Sequence, residues 1–186
     1  MTPPDLGVVL LRLAREAVGE KLGFGMPLPS PFAALDAPGA TFVTLHRLGQ
    51  LRGCVGTVTA WRPLDEDVRA NAVAAAFRDP RFVPLVKAEF ADLAVEVSLL
   101  EPPRPLAATD ESHALAQLRP GIDGVVLECG RHRATFLPQV WEQLPDPLEF
   151  LGALKRKAGL SARYWGDDVR ISSYEVRKFA SEPALP

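Results

Sequence analysis

Thr41-Phe42-Val43-Thr44-Leu45-His46-Arg47-Leu48-Gly49-Gln50-Leu51-Arg52-Gly53-Cys54-Val55-Gly56-Thr57 is two β-forming runs around a glycine-containing turn. Such a pair predicts a β-hairpin, so the second run is expected to be a paired strand. Side chains alternate across a strand, which predicts Arg52, Cys54 and Gly56 on one face and Leu51, Gly53 and Val55 on the other. A guanidinium beside a thiol favours the thiolate, the nucleophilic and metal-binding form. Gly56 would leave bare backbone on that face for a ligand or a second chain segment. The competing expectation is a small core cysteine, because free cysteine is among the most buried residue types.

Working outward, the amino-terminal side offers Asp5 as a helix cap, followed by Leu6, Val9, Leu10, Leu13, Ala17 and Val18 on one helical face. That helix is expected to end near Gly23. The segment from Gly23 to Gly39, with Pro27, Pro29, Pro31 and Pro38, is expected to be an extended wrapped loop. On the carboxyl side, Pro63 opens a helix to about Phe77, with Asp65, Glu66 and Asp67 at its positive end. Leu64, Val68, Ala72 and Ala75 form its buried stripe, and the run Ala72-Val73-Ala74-Ala75-Ala76 predicts close packing against another element. Pro80 stops the helix. Asp79 then stands at its negative end, where a carboxylate needs a cationic partner: Arg81, Arg78 or Arg52.

A short helix near 87–91 precedes a strand in which Val95, Val97 and Leu99 alternate with Glu96 and Ser98. Glu101-Pro102-Pro103-Arg104-Pro105 ends it and is the best internal linker candidate. Beyond it lie a helix near 111–118 and a second hairpin, Gly124–Glu128 with Arg133–Leu137. A capped helix follows from Asp146-Pro147-Leu148-Glu149, closing on Lys155, Arg156, Lys157 and Gly159. A final strand is expected over Val169–Val176. Hairpins mixed with helices, without a βαβ rhythm, predict an α+β fold with an antiparallel sheet and flanking helices.

The 186 residues suit one domain or two closely packed lobes. A net charge of −2 gives no electrostatic footprint for nucleic acid or an anionic membrane. The apolar residues near the amino terminus are interrupted by charges, so no signal peptide or bilayer span is expected. The two cysteines are then expected to be reduced thiols in a cytoplasm.

For chemistry, Cys54 leads as a nucleophile toward a small electrophile, with Arg52 tuning it and His46 on the partner strand as a candidate base. Backbone N–H groups near Gly53 or Gly56 are candidate donors to developing negative charge. Alternatively Arg52 and Arg81, steadied by Asp79, clamp a small carboxylate or phosphate. Cys129 shares a strand face with Val125 and Leu127 and is expected in the core. His113 and His132 fall on a polar helix and a turn. These histidines, His46 and the cysteines lack zinc-motif spacing, so no metal or cofactor is expected.

The chain resembles the AMMECR-type domain family, component A of the AmmeMemoRadiSam system. The resemblance rests on Phe42-Val43-Thr44-Leu45, Leu51-Arg52-Gly53-Cys54-Val55-Gly56-Thr57, Asn71-Ala72, Ala75-Ala76-Phe77, Asp79-Pro80-Arg81-Phe82 and Glu96-Val97-Ser98. It continues through Gly124-Val125, Phe136-Leu137-Pro138-Gln139-Val140, Phe150-Leu151 and Lys157-Ala158-Gly159-Leu160. It implies an α+β fold of two lobes with a cleft, the larger using both chain ends. It also implies work beside a radical S-adenosylmethionine protein and a Memo-like protein, and it hands over no reaction. Asp123 stands where many relatives place a histidine, which argues against a histidine-dependent mechanism there; Val55 replaces a more usual isoleucine.

Overall fold

A computed structural model describes residues 5–25 and 35–181. The expected loop prolines Pro27, Pro29 and Pro31 lie outside the described residues. The chain divides into two compact units: one runs to Leu100 and resumes at Arg177, the other is Glu101–Val176. The proline-rich stretch at 101–105 opens the second unit.

In the first unit, helix α1 (Leu6–Lys21) is capped by the Asp5 carboxylate, which accepts from the Gly7 N–H. Strand β1 (Pro38–Arg47) pairs antiparallel with β2 (Gln50–Gly56) across a turn in which Leu48 and Gly49 both take positive φ. That pair of left-handed residues matches the right-handed twist of the flanking strands. After the short β3 (Arg62–Pro63) comes α2 (Leu64–Phe77), and β4 (Leu93–Leu100) follows a 3-10 turn at Lys87–Asp92. The sheet order is β2-β1-β4-β9, with β3 on β1, so β2 is an edge strand.

Both helices cover one sheet face. Val9, Leu10, Leu13 and Val18 of α1 and Val68, Ala72 and Ala75 of α2 share a core with Val43, Leu45, Val95 and Val97. The alternation expected on β4 therefore holds, and β1 shows the same pattern. The opposite face carries Phe42, Thr44 and His46 from β1 and Ala94, Glu96 and Ser98 from β4, each directly paired across the ladder.

The second unit holds β5 (Arg104–Pro105), α3 (Glu111–Gln117), β6 (Gly124–Cys129), β7 (His132–Phe136), α4 (Pro147–Lys157) and β8 (Val169–Tyr174). Its sheet runs β5-β8-β6-β7. Trp141 stacks on Phe150 at 3.6 Å between centroids, and its indole N–H donates to the Asp123 carbonyl.

One expectation changes here, and one residue gains a partner. The single strand expected over Val169–Val176 is two: β8 belongs to the second sheet, and β9 (Val176–Ala180) joins the first. Lys155, one of the expected cations at the negative end of α4, is also fully buried and donates to Glu111 at 2.6 Å, its ammonium over the Trp165 ring. A buried ammonium needs such a partner.

Candidate functional site

Strand β2 is built around one irregularity. Leu45 pairs with Gly53, but the next residue, His46, pairs with Leu51. Arg52 is thus the extra residue of a β-bulge, which breaks the alternation read from sequence. Its guanidinium turns to Glu89, donating from Nε at 2.9 Å and Nη2 at 3.0 Å. Glu89 also receives Arg47 from the helix-covered side. The shared face of Arg52 and Cys54 is therefore corrected: Arg52 serves Glu89, while Cys54 points to the opposite face beside Thr44.

The cation at the thiol is Arg81. Cys54 sits on the sheet edge, and its backbone N–H donates to Asp79 Oδ2 at 2.8 Å. Arg81 grips the same carboxylate through Nε at 2.9 Å and Nη2 at 2.7 Å, and Nη2 also reaches the Cys54 carbonyl at 3.4 Å. A charged loop thus covers the unpaired backbone of an edge strand. Asp79 was a carboxylate in search of a cation; of its three candidates, Arg81 is the partner. Asp79, and behind it Cys54, hold the half-exposed Arg81 guanidinium above its ordinary pKa.

On the face itself, Cys54 lies directly opposite Thr44, which lies directly opposite Glu96. The Thr44 hydroxyl donates to Cys54 Sγ at 3.3 Å. One cross-strand row therefore holds a thiol, a hydroxyl and a carboxylate. His46 follows on β1, but Leu51, not Cys54, is its cross-strand partner. Thr44 and Glu96 went unread as site residues. Glu96 carried a partial signal, as a polar residue in an alternating strand, whereas counting from the Leu48-Gly49 turn sets Val43 against Cys54 and only the bulge moves Thr44 there.

Gly53 and Gly56 change roles. A Cβ at Gly53 would fall inside the carbonyl oxygen of Ala75, so Gly53 is where α2 lies against β2. A Cβ at Gly56 would fall inside the Phe42 ring. Neither glycine offers bare backbone to a ligand on the Cys54 face, because packing already fills the space.

Cys129 is buried in the second core, and its thiol donates to Asp168 Oδ2 at 3.1 Å, which holds its pKa up. Asp123, almost fully buried, accepts the Arg119 backbone N–H and guanidinium. His132 Nδ1 donates to the Ala158 carbonyl oxygen at 2.8 Å, and His113 on α3 lies near Thr109. Among the described residues, no three His, Cys, Asp or Glu side chains cluster as metal ligands, and no helix is long and apolar enough to cross a membrane.

Two carboxylates tie this site to acid stability. Arg81 holds Asp79 well below the usual carboxylate range, and Arg52 holds Glu89 down to about 2. A carboxylate depressed in the folded state contributes stability that is full above its unfolded pKa and lost as pH falls through the folded one. Stability is therefore expected to fall steadily from about pH 5 to about pH 2. Urea midpoints across that range should fall less steeply in Glu89→Gln, which lacks one of the two groups. Parallel slopes for the variant and the natural chain would refute the assignment.

A two-unit α+β protein with hairpin-built antiparallel sheets and a thiol row on one sheet face is the class these features define. The AMMECR1 family model matches residues 11–179, and the chain belongs to that family. It is 35% identical to a Methanothermobacter thermautotrophicus protein over 94% of each chain. It is 36% identical to a Saccharolobus islandicus protein over 91% of this chain and 79% of that one. The crystal structure of an uncharacterised Pyrococcus horikoshii protein superposes with a TM-score of 0.75 at 33% identity, covering 96% of this chain and 92% of that one.

Proposed function

We propose that this AMMECR1-family protein is a small-molecule-modifying enzyme, or a component of one, in which Cys54 is the reactive group. The observation that carries this reading is the held thiol. Its sulfur accepts a hydrogen bond from Thr44, and its own backbone is fixed by Asp79 and Arg81. Fixing the groups around a nucleophile is how a protein sets its geometry for attack. In this reading Arg81, rather than Arg52, is the cation beside the sulfur, with His46 and Glu96 as the titratable groups along the face. The protein works in the cytoplasm with both thiols reduced, beside a radical S-adenosylmethionine protein and a Memo-like protein of the same system.

Iodoacetamide labelling at pH 7, mapped by peptide mass, tests the proposal. Cys54 is expected to react severalfold faster than free cysteine, and Cys129 far more slowly. Labelling of Cys54 no faster than free cysteine would sink the reading.

One observation favours a second reading, a non-catalytic adaptor that binds a small anion or a partner. Arg52 Nη1 is buried and has no acceptor among the described residues, although Nε and Nη2 are satisfied. A buried donor left unmade is costly unless something fills it. Calorimetric binding of inorganic phosphate that disappears in Arg52→Gln, with an unreactive Cys54, would put the adaptor first.

A further inference from the structure

We propose that Glu96 selects the ligand of the Cys54 face, and that this ligand carries a cationic group, an ammonium or guanidinium, a few bonds from the atom the sulfur meets. This rests on the reading of Cys54 as the reactive group and adds the class of molecule it meets.

The argument starts from which charges near the sulfur are already matched. Asp79 and Arg81 neutralise each other through a two-pronged contact. Arg52 is bound by Glu89, on the other side of the bulge. Glu96 is different: this half-buried carboxylate makes no hydrogen bond or ion pair among the described residues. Its directly paired neighbour is Thr44, whose hydroxyl already donates to Cys54. His46 is on the same face, one cross-strand row away, and Lys178 on the neighbouring β9 is exposed and forms no ion pair among the described residues.

Geometry sets the ligand's size. Adjacent strands lie about 4.8 Å apart, so Cys54 and Glu96, flanking Thr44, sit about 10 Å apart at the backbone. Two side chains reaching outward from those positions bracket a molecule of a few heavy atoms. A partly desolvated carboxylate with no partner attracts a cation more strongly than a fully hydrated one, because the effective dielectric is lower. An anion approaching the same sulfur is repelled.

Charged thiol reagents of matched size read this directly. Methanethiosulfonates carrying a trimethylammonium or a sulfonate group are reacted with the full-length protein, and Cys54 labelling is followed by peptide mass. The thiolate attacks the thiosulfonate sulfur, an S–S bond forms and methanesulfinate leaves. Each rate is divided by the same reagent's rate with 2-mercaptoethanol. The cationic reagent is expected to be favoured by about fivefold at low salt, with the preference shrinking in 0.5 M salt. In Glu96→Gln, and in Glu96→Ala as a second variant, the ratio should fall close to one while a neutral methyl reagent reacts at an unchanged rate. Lys178→Gln should leave the preference in place or enlarge it.

No charge preference, a preference for the sulfonate, or a cationic preference that survives both Glu96 variants would each overturn the proposal while leaving a reactive Cys54 standing. Failure of every reagent to label Cys54 would overturn the reactive-thiol reading, and this inference with it.

Discussion

Gly53→Ala is expected to destabilise the first unit by about 3 kcal/mol, the upper end of what overpacking a close contact costs. The reason is the identity of the obstructing atom. The added methyl would fall inside the carbonyl oxygen of Ala75, a backbone atom of α2, so no side-chain rotation can make room. Helix and strand would have to part, disturbing the contacts of Ala72, Ala75 and Ala76 with Val43 and Leu45. Gly56→Ala is the control. Its new methyl meets the Phe42 ring, a side chain that can turn, so the cost should be smaller and Phe42→Leu should recover part of it. No side-chain substitution should rescue Gly53→Ala. Urea unfolding of Gly53→Ala, Gly56→Ala and Gly56→Ala combined with Phe42→Leu checks this. A midpoint change for Gly53→Ala no larger than that for Gly56→Ala would refute the argument.

That contrast also shows what the sequence could and could not convey. The hairpin, the α2 stripe and the close approach of its alanines follow from local patterns, because each depends on residues a few positions apart. The positive-φ turn at Leu48-Gly49 and the Asp5, Asp110 and Asp146 caps are likewise local. The bulge at Arg52 is not. Strict alternation is the only rule available to a reader of one strand, and a single extra residue breaks it. Everything inferred from the shared face of Arg52 and Cys54 moved with that residue.

Asp79 was legible as an unmatched charge, and Arg81 was among its expected partners; the edge of β2 that the pair covers could not be seen without the sheet order. The cross-strand partner of Glu96 was hidden for the same reason. The place of Glu96 opposite Thr44 comes from a pairing between strands roughly fifty residues apart in sequence. Lys155 shows the same limit. Its position in the last turn of α4 suits the negative helix end by local rules, yet its burial against Glu111 comes from tertiary packing.

Asp67→Ala is expected to cost more than any other single change discussed, about 4 kcal/mol. Local reading gives Asp67 a modest role beside the positive end of α2, a surface effect of under about 1 kcal/mol. The structure gives it a different one. Its side chain is fully buried, and Oδ2 accepts the Thr41 backbone N–H at 2.8 Å, the Thr41 hydroxyl at 2.7 Å and the Asn71 amide at 3.0 Å. Oδ1 accepts Arg62 Nε at 2.9 Å. Removing the carboxylate takes the acceptor from two buried donors, the Thr41 N–H and hydroxyl, and the counter-charge from the mostly buried Arg62 guanidinium in one step, the condition under which deletion is most costly.

The loss should also reach the site. Asn71 bridges the Thr41 carbonyl and the Thr57 hydroxyl, and the Thr57 N–H donates to the Thr41 carbonyl, so this network closes the end of the hairpin that carries Cys54. Hydrogen exchange should therefore show the Thr41 and Thr57 amides losing protection in Asp67→Ala beyond what the global loss of stability explains. Asp67→Asn keeps the shape but turns one acceptor into a donor facing donors, so it should recover little. A loss below about 1 kcal/mol for Asp67→Ala would mean that water replaces the carboxylate at no great cost, and that the hairpin end is held by packing alone.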